Sequence, residues 1–106
     1  MIEIKFNPKK MEIKINGHAG QAEKGKDIVC SAVSILFYTL AQAVMDSREM
    51  LQEDPVIIID DGNGKVSCKP KKEYVATMQR TYWTILTGIE LVTQEYKDYV
   101  KFTVTK

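Results

Sequence analysis

Cysteine and histidine are scarce in this chain: two cysteines, Cys30 and Cys68, and one histidine, His18, among 106 residues. Two thiols are too few for the disulfide framework that staples small secreted domains, so reduced cysteines and a cytoplasmic location are expected. A dominant charge is also lacking. With 15 basic and 14 acidic side chains the net charge is +1, and no global field draws the protein toward nucleic acid or a membrane surface. No apolar run is expected to approach the roughly 18 residues of a membrane helix. The N-terminal MIEIKFNPKK alternates like a strand and has no signal-peptide core. Repeats, low-complexity tracts and linkers are absent. What remains, 44% hydrophobic and 27% charged residues, suits a soluble globular protein. The length suffices for one core and is short for two, so a single domain over residues 1–106 is expected.

Apolar periodicity orders the elements. Ile2, Ile4 and Phe6 alternate with Glu3 and Lys5, and Met11, Ile13 and Ile15 alternate with Glu12 and Lys14, around a turn at Asn7-Pro8-Lys9-Lys10; this predicts a β-hairpin. Residues 17–26 contain three glycines and little apolar bulk, which predicts an exposed, mobile loop carrying His18. From Asp27 to about Met50, Val29, Val33, Leu36, Phe37, Leu40 and Val44 recur at helical steps, with Asp27 placed as N-cap. Pro55 opens the apolar run Val56-Ile57-Ile58-Ile59, and Asp61-Gly62-Asn63-Gly64 reads as a turn into a strand from Lys65 to Lys69. Val75, Met78, Tyr82, Ile85, Ile89, Val92 and Tyr96 then form an unbroken helical seam. A last strand follows at Val100, Phe102 and Val104. The order ββαββαβ predicts an α+β fold, a two-layer sandwich with two helices on a mixed or antiparallel sheet of about five strands. Gly88, inside the second helix, predicts close approach by another element.

The chemistry-bearing stretch is GHAGQAEKGKDIVCSAVS, residues 17–34. With Asp27 as N-cap, Cys30 falls at N3, in the first turn, where unpaired N–H groups and the helix dipole favour negative charge. A helix start or a protonated histidine favours the thiolate form of cysteine, and His18 is the available histidine. Thiolate attack on a peptide carbonyl needs a base and an acid, both within the reach of one imidazole, and oxyanion donors, which a helix start can supply. Asp27 and Ser31, like Cys30 and Ser34, are four residues apart and make a polar stripe on the same flank. Asp27 is thus a candidate to orient His18, and Ser34 to shape the pocket. Residue pattern alone leaves the alternative open, since a lone helical cysteine is usually a small core residue.

Several other patterns compete. A zinc site from His18, Cys30 and Cys68 lacks close ligand spacing, and no metal or cofactor is expected. Asp60-Asp61-Gly62-Asn63-Gly64 superficially looks like a calcium loop but joins strands and lacks the terminal glutamate; a hairpin turn is the simpler reading. Lys69-Pro70-Lys71-Lys72 reads as a solvated turn rather than a nucleic-acid contact. A module that binds an extended peptide at a sheet edge without thiol chemistry is the non-enzymatic alternative. Met78, Tyr82 and Trp83 read as core, while Ile35 and Tyr38 on the other flank of the first helix suggest a dimer face.

Gly17-His18-Ala19-Gly20, Gly25-Lys26-Asp27-Ile28-Val29-Cys30 and Ala32-Val33-Ser34, with Gly88-Ile89-Glu90-Leu91 and Tyr96-Lys97-Asp98-Tyr99-Val100, resemble the ribosomal-processing cysteine protease family, Prp. The resemblance implies a Cys-His dyad with Cys30 as nucleophile and His18 as base and acid, supported by Gly17, Gly20, Asp27, Ser31 and Ser34. It implies an α/β sandwich that forms homodimers, and a loop that orders over substrate with Gly17 and Gly20 as hinges. The implied substrate is the N-terminal extension of ribosomal large-subunit protein twenty-seven. A phage or mobile-element relative would instead cut a capsid or scaffold protein. Ser31 stands where the family often has alanine, a small change that leaves thiol chemistry possible.

Overall fold

The structure, a computed structural model, describes residues 1–18 and 27–105. The alternation near the N-terminus folds as β1 (Ile2–Asn7) and β2 (Glu12–Asn16), paired antiparallel with Asn7 opposite Glu12. Asn7 holds the connecting turn: its side-chain oxygen accepts from the Lys9 and Lys10 amides at 3.1 and 3.2 Å, the local bonding that makes asparagine a turn residue. The second hairpin is β3 (Val56–Asp60) and β4 (Asn63–Ser67). Its turn is shorter than the four residues expected. Asn63 and Gly64 already pair with Asp60 and Ile59, because Asp61-Gly62 alone reverses the chain with Gly62 at φ 75°. Strand β4 accordingly ends at Ser67, leaving Cys68 just beyond it.

These strands and β5 (Val100–Val104) form one sheet in the order β3-β4-β2-β1-β5. All neighbours are antiparallel except β1 and β5, which run parallel with Ile4 opposite Phe102. The predicted element order and mixed sheet are what the structure has. Helix α1 (Ile28–Asp46) stops short of Met50: Ser47 donates its hydroxyl to the Ala43 carbonyl at 2.8 Å, and Arg48–Met50 tightens into a 3-10 turn. After a second 3-10 turn at Lys72–Tyr74, α2 spans Val75–Glu95.

One face of the sheet supplies Ile2, Ile4, Phe6, Ile13 and Val66 to the core, and the helices lay Val29, Val33, Phe37, Leu40 and Val44 of α1 and Met78, Tyr82, Leu86 and Ile89 of α2 against them. Each such side chain contributes about 1.5–3 kcal/mol on burial. At Gly88 a Cβ would meet Leu36 Cδ2 at 2.8 Å, so the close approach predicted there is α1 against α2. Trp83 departs from expectation. It remains 43% exposed and meets buried Phe6 edge-on, with ring centroids 5.3 Å apart.

The expectation about apolar runs also needs correction. Residues 28–45 carry no charged side chain, and α1, with a mean hydropathy of 1.9, is long and apolar enough by length and composition to cross a membrane. A third of that stretch is buried inside the fold. Its apolar character has a local cause: one side of α1 meets the core, and the other carries exposed Ile28, Ile35, Tyr38 and Met45.

Candidate active site

The site begins at the start of α1. Asp27 adopts extended backbone angles, φ −79° and ψ 103°, and its Oδ1 accepts from the Cys30 amide at 3.0 Å. This is the predicted N-cap, worth about 1 kcal/mol to a helix, and it is only 5% exposed. Val29 and Val33 lie buried on either side of Cys30 in sequence, so the cap and the core together fix the half-buried cysteine at the third helical position. The cap also carries a cost for chemistry. Because the Cys30 amide is engaged by Asp27 and the Ser31 amide by the Asp27 carbonyl at 3.0 Å, neither is available as an oxyanion donor.

Opposite Cys30 stands the end of β2. Gly17 has φ 95°, and a Cβ there would overlap the Met1 carbonyl oxygen, so only glycine fits. Its amide donates to the Gly62 carbonyl at 2.8 Å, extending the β2–β4 ladder by one residue and setting His18 on the Asp61-Gly62 turn. The His18 Nε2 lies 3.8 Å from Asp61 Oδ1. A Cβ at Gly62 would come within 2.9 Å of the same nitrogen. The turn backbone is therefore the surface on which the imidazole rests.

Between these two walls lies a cavity of about 770 Å³, which Gly17, His18, Asp27, Cys30, Ser31 and Ser34 all line. Gly20 and most of the predicted mobile loop, residues 19–26, lie outside the described residues. Among the described residues no hydrogen bond joins His18 to Cys30. Asp27 caps the helix as expected, whereas the carboxylate seen against the imidazole is that of Asp61. Sequence reading assigned Asp61 and Gly62 only to a turn, and missed Ile59, Phe37 and Tyr38 as further walls. The neighbouring ends of β2 and β4 could have been inferred only from a strand order that local patterns do not carry.

Cys68 lies elsewhere. It lines a separate cavity of about 760 Å³ beside Lys10 and Lys69, buried, with its sulfur accepting from the Tyr82 hydroxyl at 3.5 Å. Burial pushes its thiol up from the usual value, against a smaller opposing effect of the Tyr82 hydrogen bond. Among the described residues no group of three or more potential ligands is arranged to hold a metal ion. Lys69 forms an exposed ion pair with Glu53 at 3.2 Å.

Residues 1–101 match the family described as cysteine protease Prp. The chain belongs to the Prp family. Its enzymatic class is that of a cysteine protease. A curated relative, the ribosomal processing cysteine protease Prp of Staphylococcus aureus, is 24% identical over 100 residues, covering 94% of this chain and 92% of its own. The fold is similar to a crystal structure of the S. aureus Prp protease in complex with a covalently linked product peptide, with a TM-score of 0.77, 21% identity, and coverage of 99% of this chain and 100% of that one. A second S. aureus Prp structure, in complex with a substrate peptide, matches at a TM-score of 0.61 and 21% identity over 98% of this chain and 97% of that one. The expected two-layer sandwich is thus a Prp fold.

Proposed function

We propose that this protein is a cysteine endopeptidase in which Cys30 and His18 form the catalytic dyad, and that its substrate is the N-terminal extension of ribosomal large-subunit protein twenty-seven. The observation carrying this reading is the cavity that holds the only histidine and the capped helical cysteine together. His18 takes the Cys30 thiol proton, the thiolate attacks the scissile carbonyl, and the imidazolium returns the proton to the leaving amine. Water, activated by the same imidazole, then hydrolyses the thioester and restores the thiol. Asp27 supports the dyad by fixing Cys30, Gly17 by admitting the strand end, and Ser31 and Ser34 as polar wall. The name of the S. aureus relatives, ribosomal processing protease, supports the substrate class, and a ribosomal substrate together with two free thiols supports a cytoplasmic location.

The reading includes a homodimer. Exposed Ile35 and Tyr38 on α1 are the apolar surface a second copy would cover, and Tyr38 also lines the cavity.

The test is cleavage of a peptide carrying the ribosomal protein's N-terminal extension, followed by mass spectrometry. Wild-type protein should cut at one bond, and Cys30→Ala, Cys30→Ser and His18→Ala should leave only the uncatalysed background. Persistence of cutting in Cys30→Ala would sink the dyad. Failure of the wild type on this peptide, alongside rapid alkylation of Cys30, would move the substrate away from the ribosome.

A further inference from the structure

Strand β3 is an edge strand, paired among the described residues only with β4. Its register tells which backbone groups face outward. A two-residue turn closes on a hydrogen-bonded pair, here Asp60 with Asn63, and such pairs alternate along an antiparallel ladder. Ile58 with Lys65 and Val56 with Ser67 are therefore the other bonded pairs. The Gly17 amide bonded to the Gly62 carbonyl on the opposite side of β4 fits the same alternation. It follows that the N–H and C=O groups of Ile57 and Ile59 point away from β4, to the outer edge.

That edge is unlike a protected one. Natural edges are blunted by charges, proline or bulges, and the other edge of this sheet, β5, carries Lys101 and Thr103. Residues 56–59 of β3 are all aliphatic, and Val56, Ile58 and Ile59 are between 44 and 49% exposed. The strand also leads somewhere. Ile59, Asp60 and Asp61 line the cavity that contains Cys30 and His18, so the outward-facing main chain at Ile59 is continuous with the catalytic cavity.

We propose that the extended peptide substrate docks as a sixth strand on the outer edge of β3, hydrogen-bonding to the main chain of Ile57 and Ile59 and resting uncharged, apolar side chains on Val56, Ile58 and Ile59. The proposal rests on the protease reading for the identity of the occupant as a substrate. Main-chain pairing supplies affinity and direction into the cavity, while the alternate side chains supply selectivity.

The experiment has two arms. In the first, a substrate peptide is N-methylated one amide at a time and assayed with unmodified enzyme. Amides facing β3 recur at every second residue, so KM should rise at alternate positions with little change between them. In the second, Ile59→Pro removes an outward N–H that the ladder does not use, a substitution edge strands tolerate, with Ile59→Ala as the control for side-chain loss. A folded Ile59→Pro protein should show KM raised roughly tenfold over Ile59→Ala, the scale of one or two lost hydrogen bonds. N-methyl effects without a period of two, or equal KM values for the two folded variants, would overturn the proposal. Should Ile59→Pro fail to fold, the N-methyl series decides alone. Should the wild type fail to cleave, the ribosomal substrate assignment is what falls. The edge is then judged by peptide binding to Cys30→Ala protein, where shifts of the Ile57 and Ile59 amide resonances support it and their absence overturns it.

Discussion

Cys30 and Cys68 face cavities of nearly equal size, about 770 and 760 Å³, yet their surroundings differ sharply. Cys30 sits half-exposed on a helix start, held by a carboxylate cap, with an imidazole lining the same cavity. Cys68 sits past a strand end with its sulfur under the Tyr82 hydroxyl. Burial raises its pKa and, together with the Cys68 contact, pushes Tyr82 far above the ordinary tyrosine range. A thiol beside a hollow is thus no site by itself. Access, a helix start and an imidazole in the same cavity are what Cys30 has and Cys68 lacks.

The sharpest way to break this comparison is alkylation. At neutral pH, iodoacetamide should label Cys30 alone and abolish turnover, as read by intact mass and peptide cleavage, while Cys68 reacts only after denaturation. Cys68→Ala should keep turnover. Labelling of both thiols at similar rates in the folded protein would erase the distinction.

A smaller effect tests what holds the histidine. Gly62→Ala forces a side chain toward the His18 ring and strains a residue at φ 75°. Since displacement of a catalytic group by about 1 Å can cost roughly a hundredfold, kcat should fall on that order. Asp61→Asn should cost far less, within about threefold. The Asp61–His18 pair spans 3.8 Å with both side chains more than half exposed, and such surface pairs are weak and screened by salt. A larger loss for Asp61→Asn than for Gly62→Ala would assign the charge, rather than the turn backbone, as the support.

The smallest effect concerns alkaline stability. Cys68 and Tyr82 have folded-state pKa values above their ordinary 9.0 and 10.0. Above about pH 9 the unfolded chain releases protons that the folded protein retains, so their contribution is whole below that pH and declines as pH rises. Thermal melts should show Tm falling from about pH 9 upward, with a shallower fall in Cys68→Ala. Equal slopes in the two proteins would remove Cys68 as a cause.

Much of this architecture was legible because its signals are local. Alternation in residues 2–6 and 11–15 and the three- and four-residue steps after Asp27 and Val75 each report one element's apolar face, and Asp27 before Ile28 marked the cap that put Cys30 at N3. The errors have equally definite causes. Trp83 lies beside the α2 seam and escapes full cover. Serine, threonine and glutamine within α1 masked how long its uncharged run is. The turn at 61–62 looked longer because Asn63 and Gly64 are turn-type residues, although the Gly62 conformation makes them unnecessary for reversal. The wall behind His18 depends on β4 lying next to β2, a pairing between residues far apart in sequence that no local period encodes.

The parallel pairing of β1 with β5 has a consequence in time. Ile2 and Val100 are register partners, so β1 waits for β5, synthesised nearly a hundred residues later, before that side of the sheet is complete. Contacts of such long range slow folding, and during synthesis the nascent chain presents β1 as an unpaired edge until β5 arrives. Completion of the sheet therefore follows the synthesis of β5. A chaperone or a neighbouring nascent chain would in that interval meet the open side of β1.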